Sequence, residues 1–137
     1  MGQMRLVGGR QPVDALLVQS DLSPTLRERL ILSQEALSFA HQELRLPDNG
    51  SYTTYYDTGH SYIVWNVFAA PEFSLQPQTW CFPIAGCIAY RGYFDPDKAH
   101  KYAAKLASIG NDVYVGGITA YSTLGRFKDP VLNTMVS

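Results

Sequence analysis

Apolar residues recur at helical spacing over the first third of the chain. A short helix is predicted over 11–19, with Pro12 at a first helical position. A longer helix is predicted to begin with Ser23 as N-cap and Pro24 at N1, and to end near Arg45. Its apolar stripe is formed by Leu26, Leu30, Leu37, Ala40 and Leu44.

After the turn residues at 47–50 the pattern becomes typical of strands. Segments 52–56 and 62–68 are rich in aromatic and β-branched residues, and they are predicted to pair as a hairpin. Prolines at 71 and 77 indicate a loop, and a further strand is predicted over 87–94.

The clearest helix signal comes late in the chain. Asp95 and Pro96 repeat the N-cap and N1 signature, helical spacing of apolar residues follows, and Gly110 suits the C′ position. A strand is predicted over 112–118. The order of helices, strands, helix and strand predicts an α+β fold: N-terminal helices, then a small, mostly antiparallel sheet with one further helix. A single domain over 1–137 is predicted, without internal repeats.

Composition and charge exclude several classes of protein. The chain has 137 residues, 46% of them hydrophobic, which is enough for a buried core. Its net charge is −1 and no cluster of Lys and Arg is present, so no nucleic-acid partner is expected. No apolar run is long enough to span a membrane, and the first residues lack a signal-peptide profile. The chain as written would therefore be cytoplasmic.

Several long motifs resemble a bacterial family of zinc aminopeptidases, metallopeptidases of the zincin type. They are LPDNGSY at 46–52, VWNVFAAPEFSL at 64–75, TWCFPIAGCIAYRGYF at 79–94, DVYVGGITAYSTLG at 112–125 and DPVLNTM at 129–135. The resemblance implies peptide substrates and the sheet lobe of a zincin. A cell-envelope or periplasmic location is expected for the full-length protein.

The resemblance also implies a helix with the motif H-E-x-x-H, in which two His bind zinc and the Glu acts as general base. This sequence does not contain that motif. We therefore expect an N-terminal, substrate-side lobe of a longer enzyme, inactive alone, with no catalytic residue and no metal ligand among these residues. His41, His60 and His100 are isolated in sequence and are interpreted as solvated or hydrogen-bonded side chains.

Zincins offer an edge strand to which an extended peptide can hydrogen-bond, and the best candidate here is the segment 112–122. Gly116 and Gly117 remove side chains that would block another backbone, while Tyr121 or Ser122 would supply a polar contact. The alternative interpretation of the two glycines is a bulge or bend in a core strand.

A second predicted patch would bind the free amine of a substrate. Its carboxylate is Glu72, which would need aromatic and polar neighbours to hold a buried positive charge. Glu72 also lies in a predicted loop, where an ordinary solvated acid is the alternative. The patch comprises Trp65, Asn66, Glu72 and Phe73.

The two cysteines are separated by five residues that include Pro83 and Gly86. Cys81 and Cys87 are interpreted either as a disulfide or as two buried thiols, and no local base favours a nucleophile. A disulfide would indicate an extracytoplasmic location. Apolar surface left exposed on such a lobe predicts a homo-oligomer, and the alternative function is a non-enzymatic peptide-binding or protein-binding module.

Overall fold

The computed structural model describes residues 2–84 and 86–137, which form two compact units. Unit 1 contains the described residues up to Ser61 together with Ala120–Ser137, and unit 2 contains Tyr62–Thr119. The single domain expected over 1–137 stays a prediction, because compactness does not measure whether two units unfold together.

Three helices lie in unit 1: α1 (Gly2–Gly8), α2 (Val13–Leu17) and α3 (Pro24–Gln42). The predicted helix over 11–19 is shorter in the structure, because Pro12 has extended backbone angles and precedes the first turn of α2. The α3 helix begins at Pro24 as predicted but ends at Gln42, earlier than the predicted Arg45. Arg45 itself has a left-handed φ of 53°, which no helix can contain.

The sheet of unit 1 has the order β1-β2-β8, where β1 is Gln11–Pro12, β2 is Thr54–Tyr56 and β8 is Val131–Leu132. The β2 strand pairs antiparallel with β1 and parallel with β8. A 3-10 helix, Asn133–Met135, follows β8. A cluster of buried side chains in this unit consists of Val13, Leu16, Leu30, Tyr55 and Val131.

The main sheet of unit 2 is antiparallel and has the order β6-β3-β7. Its strands are β3 (Val64–Pro71), β6 (Arg91–Tyr93) and β7 (Asn111–Ile118). A separate hairpin joins β4 (Trp80–Phe82) to β5 (Gly86–Ile88).

Two strand predictions were wrong. The segments 52–56 and 62–68 do not pair, because both edges of β2 are occupied by β1 and β8 while β3 pairs with β6 and β7. Between them, Asn133 accepts hydrogen bonds from the backbone N–H and the hydroxyl of Thr58, each at 2.9 Å, which fixes the chain as it leaves β2. The single strand predicted over 87–94 is divided between β5 and β6, which belong to different sheets.

Helix α4 (Pro96–Ser108) has the predicted boundaries. The Asp95 carboxylate accepts a hydrogen bond from the backbone N–H of Asp97 at 2.9 Å, and Gly110 has a φ of 96° just after the helix. One face of α4 is buried against β3, and the resulting core is formed by Val67, Ala69, Ala99, Ala103 and Leu106.

The α+β class is confirmed, and among the described residues all strand pairs except β2 with β8 are antiparallel. Among the described residues no helix is long and apolar enough to cross a membrane.

Candidate functional site

The β7 strand lies at one edge of its sheet and contains both glycines predicted to contact substrate. It pairs with β3 without interruption, from Val64 opposite Ile118 to Pro71 opposite Asn111. On its other side, no strand in the described part of the chain pairs with it. Because one residue faces one residue throughout, the alternative interpretation of Gly116 and Gly117 as a bulge is wrong.

The hydrogen-bonding pattern shows which backbone groups of β7 point away from β3. The Glu72 N–H donates to the Gly110 carbonyl at 3.3 Å, and these two residues continue the register of the ladder. In an antiparallel pair, opposite residues alternate between those that exchange hydrogen bonds and those that do not. The N–H and C=O groups of Val113, Val115 and Gly117 therefore point toward the outer edge of the sheet.

The two faces of β7 differ in chemistry. Val113 and Val115 pack against the core beneath α4. Tyr114 points to the opposite face, where its ring lies 6.1 Å from that of Phe68, centroid to centroid. Successive side chains of a strand point to opposite faces. An added strand would therefore lie beside apolar side chains on one face and beside an aromatic, partly exposed side chain on the other.

Both glycines are covered by tyrosine rings. A Cβ atom at Gly117 would lie 2.5 Å from Cγ of Tyr62, and a Cβ atom at Gly116 would lie 3.0 Å from Cε1 of Tyr114. The space that glycine leaves is therefore filled by a ring of the same unit. Neither tyrosine was predicted as a site residue. Tyr114 is two residues before Gly116 and so on the same face of β7, whereas Tyr62 is brought to Gly117 only by the pairing of β3 with β7.

The residues of the predicted amine-binding patch do not lie together. Asn66 is buried in the middle of β3, directly opposite Gly116, and its side chain is on the face opposite to Trp65. Glu72 is exposed just beyond the end of β3, six residues later and so roughly 20 Å away at about 3.3 Å per residue. Phe73 beside it is 99% exposed and cannot shield the Glu72 carboxylate from solvent.

Tyr121 and Ser122 lie in unit 1, where Asp129 organises their loop. The Ser122 hydroxyl donates to Oδ2 of Asp129 at 3.4 Å, and the N–H of Thr123 donates to the same atom at 2.9 Å. Ser122 also accepts a hydrogen bond from the N–H of Leu124 at 3.0 Å. Burial raises the pKa of Tyr121, and the negative charge of Asp129 raises it further.

Asp129 is a residue that the sequence interpretation missed. It is 5% exposed, and its neighbour Pro130 forms the Asp-Pro pair that is a turn signal. Its carboxylate accepts hydrogen bonds from groups of its own loop, so it holds Ser122 and Thr123 in place. The hydroxyl of Ser122 thus forms hydrogen bonds with Asp129 and Leu124 of its own loop.

Comparison with models of protein families shows the family to which this chain belongs. A family model described as "Putative aminopeptidase" matches residues 1–137. The chain belongs to this family. Searches of the curated proteins and of the solved structures found no match.

A catalytic zinc site in a member of an aminopeptidase family would need about three donor side chains close together. His41 Nδ1 lies 3.9 Å from a carboxylate oxygen of Asp48, and neither His60 nor His100 joins them. Across residues 2–84 and 86–137 no group of three or more His, Cys, Asp or Glu side chains could hold a metal ion. These residues therefore do not fit a zinc site.

Cys81 and Cys87 face each other across the β4–β5 hairpin and are joined by a disulfide. Gly86 has a φ of 72° at the turn, where a residue without a Cβ is favoured. Both cysteines are exposed, so the alternative of two buried thiols does not describe them.

Proposed function

We propose that this chain is the substrate-side lobe of a zinc-dependent aminopeptidase of the zincin type, which removes residues from the free N-terminus of peptides. The family match over residues 1–137 is the observation that carries the proposal. We assign the zinc ligands and the general base to a part of the enzyme other than these residues.

The contribution of this lobe is to bind an extended peptide at β7. Val113, Val115 and Gly117 each offer one N–H and one C=O to an added strand, and each hydrogen bond formed contributes about 0.5–1.5 kcal/mol net. Such bonds are made to the peptide backbone, so they hold peptides of many sequences in one orientation. That is what an enzyme needs if it removes residues successively from one end.

Hydrogen exchange of the β7 amides tests this peptide-binding role. The probe is the peptide Ala-Val-Thr-Val-Thr-Ala, added in excess to the chain and followed by NMR. The N–H groups of Val113, Val115 and Gly117 should become protected, whereas those of Asp112, Tyr114 and Gly116 are protected already by β3. Equal changes at all six amides, or none, would contradict strand addition.

A second experiment tests the aminopeptidase assignment. Leucine p-nitroanilide is offered to residues 1–137 alone and to the longest protein that the gene encodes, each with and without zinc. The proposal expects hydrolysis only by the longer protein with zinc, and loss of activity when a chelator is added. Zinc-dependent turnover by residues 1–137 alone would overturn the assignment of this chain as a lobe.

We assign recognition of the substrate amine to Glu72, the exposed acid that continues β3 and faces Gly110, just before β7 begins. An ammonium group paired with a carboxylate is favoured over an uncharged amide in the same place. The peptide with a free N-terminus should therefore bind more tightly than the same peptide with an acetylated N-terminus, and Glu72→Gln should abolish that difference in affinity. Glu35→Gln, a change at an exposed acid in α3, is the control. An unchanged difference in Glu72→Gln would exclude this role.

The second candidate function is a non-enzymatic module that binds peptide or protein. The outer edge of β7, with which no strand among the described residues pairs, supports it equally, since strand addition requires no catalytic group. The hydrolysis experiment distinguishes the two candidate functions. Protection of the three outward amides together with no zinc-dependent turnover by the longer protein would favour the module.

Location and assembly are further parts of the proposal. An exposed disulfide persists in oxidising compartments, which supports the cell envelope or periplasm over the cytoplasm. Trapping of free thiols in intact cells would then label neither cysteine. Large apolar side chains exposed on α3 support self-association, and light scattering would show a dimer or larger species. The side chains concerned are Ile31, Leu32 and Phe39.

A further inference from the structure

The Tyr62 ring is held directly over Gly117. A Cβ atom at that glycine would lie 2.5, 2.6 and 2.7 Å from three carbons of the ring, including Cγ at its base. Trp65, which pairs with Gly117 across the ladder, supports the ring edge to face, with centroids 6.4 Å apart and planes at 75°. Tyr62 nevertheless remains 43% exposed.

The Tyr114 ring covers Gly116 in the same way on the opposite face of the sheet. A Cβ atom at Gly116 would lie 3.0 Å from Cε1 of Tyr114 and 3.7 Å from its hydroxyl oxygen. The ring packs beside Phe68 and is largely exposed. Two consecutive glycines of one edge strand therefore each have an aromatic ring in place of a side chain, on alternate faces.

This arrangement determines what an added strand would touch. Residues directly opposite in a sheet point their side chains to the same face, with Cβ atoms about 4.5–5.5 Å apart. A peptide residue opposite Gly117 finds no side chain there and meets the ring of Tyr62. The adjacent peptide residue, opposite Gly116, points to the other face and meets the ring of Tyr114.

We propose that Tyr62 and Tyr114 form two apolar subsites, on opposite faces of β7, for consecutive side chains of a bound peptide. The favoured ligands are extended peptides with large apolar or aromatic residues at two adjacent positions. This inference rests on the proposed addition of a peptide strand to β7. It adds a selection by side chain to a mode of binding that otherwise depends on the peptide backbone alone.

The test compares two peptides, Ala-Val-Phe-Phe-Thr-Ala and Ala-Val-Thr-Val-Thr-Ala, by their dissociation constants for the chain. Contact between aromatic rings should make the first bind about 3- to 10-fold more tightly per ring that it meets. Tyr62→Ala and Tyr114→Ala should each remove part of this preference. Tyr62→Phe should keep it, because the ring is retained.

Two further variants serve as controls for substitutions that only disturb the fold. Gly117→Ala retains Tyr62 but displaces its ring, so it should lose the same part of the preference as Tyr62→Ala. Tyr90→Ala removes an exposed tyrosine of unit 2 that packs against Phe68 away from the glycines, and it should bind both peptides as the unaltered chain does.

The outcomes separate this inference from the one on which it rests. If both peptides protect Val113, Val115 and Gly117 from exchange but bind equally tightly, the subsites are wrong and strand addition stands. If neither peptide protects these amides, strand addition and the subsites both fail. The hydrolysis assay of the longer protein reports on the aminopeptidase assignment in either case.

Discussion

Helices α3 and α4 begin with the same sequence signal and end up in different environments. Each has a polar N-cap residue followed by proline, Ser23-Pro24 in α3 and Asp95-Pro96 in α4. Asp95 makes a capping hydrogen bond and α4 buries three residues, whereas Ser23 makes none through its side chain and α3 buries only Leu30.

The difference arises from what each helix packs against. In unit 2, the face of α4 with Ala99 and Ala103 lies on the β3–β7 sheet, and small side chains allow close contact. In unit 1, α3 extends over 19 residues, and Leu32 on its outer side is 63% exposed. An N-terminal signal thus predicts where a helix begins, while the neighbouring elements decide how much of it is buried.

The largest effect should come from truncating the buried leucine of each helix. Leu30→Ala in α3 and Leu106→Ala in α4 should each lower the free energy of unfolding by about 2–5 kcal/mol, because both create a cavity in a core. Leu32→Ala is the matched control on α3 and should cost less than about 0.5 kcal/mol. Urea denaturation measures all three.

The same experiment addresses the single domain predicted over 1–137. If the two units unfold together, both core variants should shift one common transition. A large loss in Leu32→Ala would contradict the comparison, since it would mean that the outer side of α3 is covered in solution.

The next effect should come from the disulfide, which lies in unit 2 with α4. Replacing both cysteines by alanine should lower the free energy of unfolding by about 2 kcal/mol, as expected for a bridge that closes a short loop. Adding dithiothreitol to the unaltered chain should produce the same loss. A reductant that leaves the urea midpoint unchanged would contradict the prediction.

The helix caps provide the sharpest form of the comparison. Asp95→Ala should cost about 1 kcal/mol, because the N–H of Asp97 loses its acceptor. Ser23→Ala should cost less than about 0.5 kcal/mol, because its side chain caps nothing. Thermal and urea unfolding of the two variants measure the difference. Equal losses would mean that the Ser23 hydroxyl makes a cap in solution.

The smallest effect concerns the tyrosines of unit 1 at alkaline pH. Burial raises the pKa of Tyr121, with a further contribution from Asp129. Above the unfolded tyrosine pKa of about 10, the unfolded chain loses its proton first, so stability falls as the pH rises toward the higher folded pKa.

Tyr121→Phe should therefore show a shallower loss of stability above about pH 10, measured by urea denaturation at several pH values. Below about pH 9 the variant and the unaltered chain should have the same dependence on pH, which is the internal control. A steeper loss in the variant would contradict the sign of the shift.

Much of the fold was predictable where local chemistry is decisive. The start of α3, both ends of α4 and the position of β7 follow from N-cap residues, prolines, glycines and periodicity. The hairpin expected between 52–56 and 62–68 was wrong, because strand partners depend on contacts between segments far apart in sequence, such as Tyr55 with Val131.

The candidate site was predictable in part. The edge strand with Gly116 and Gly117 was identified from sequence, but the rings over these glycines were not, because Tyr62 reaches Gly117 only across the β3–β7 ladder. Asp129 was missed for a similar reason. Nothing in its immediate sequence shows that its carboxylate will be buried beneath Ser122 and Thr123.

The sequence by itself determined where the main helices begin, the α+β class and the family, because these depend on local backbone preferences and on long motifs read in order. Tertiary structure alone decided that β7 is an edge strand, that α3 leaves apolar residues exposed, and that the predicted amine-binding patch does not form. Edges, exposed faces and clusters of side chains result from pairing and packing between distant segments, and local preference carries no information about which segments meet.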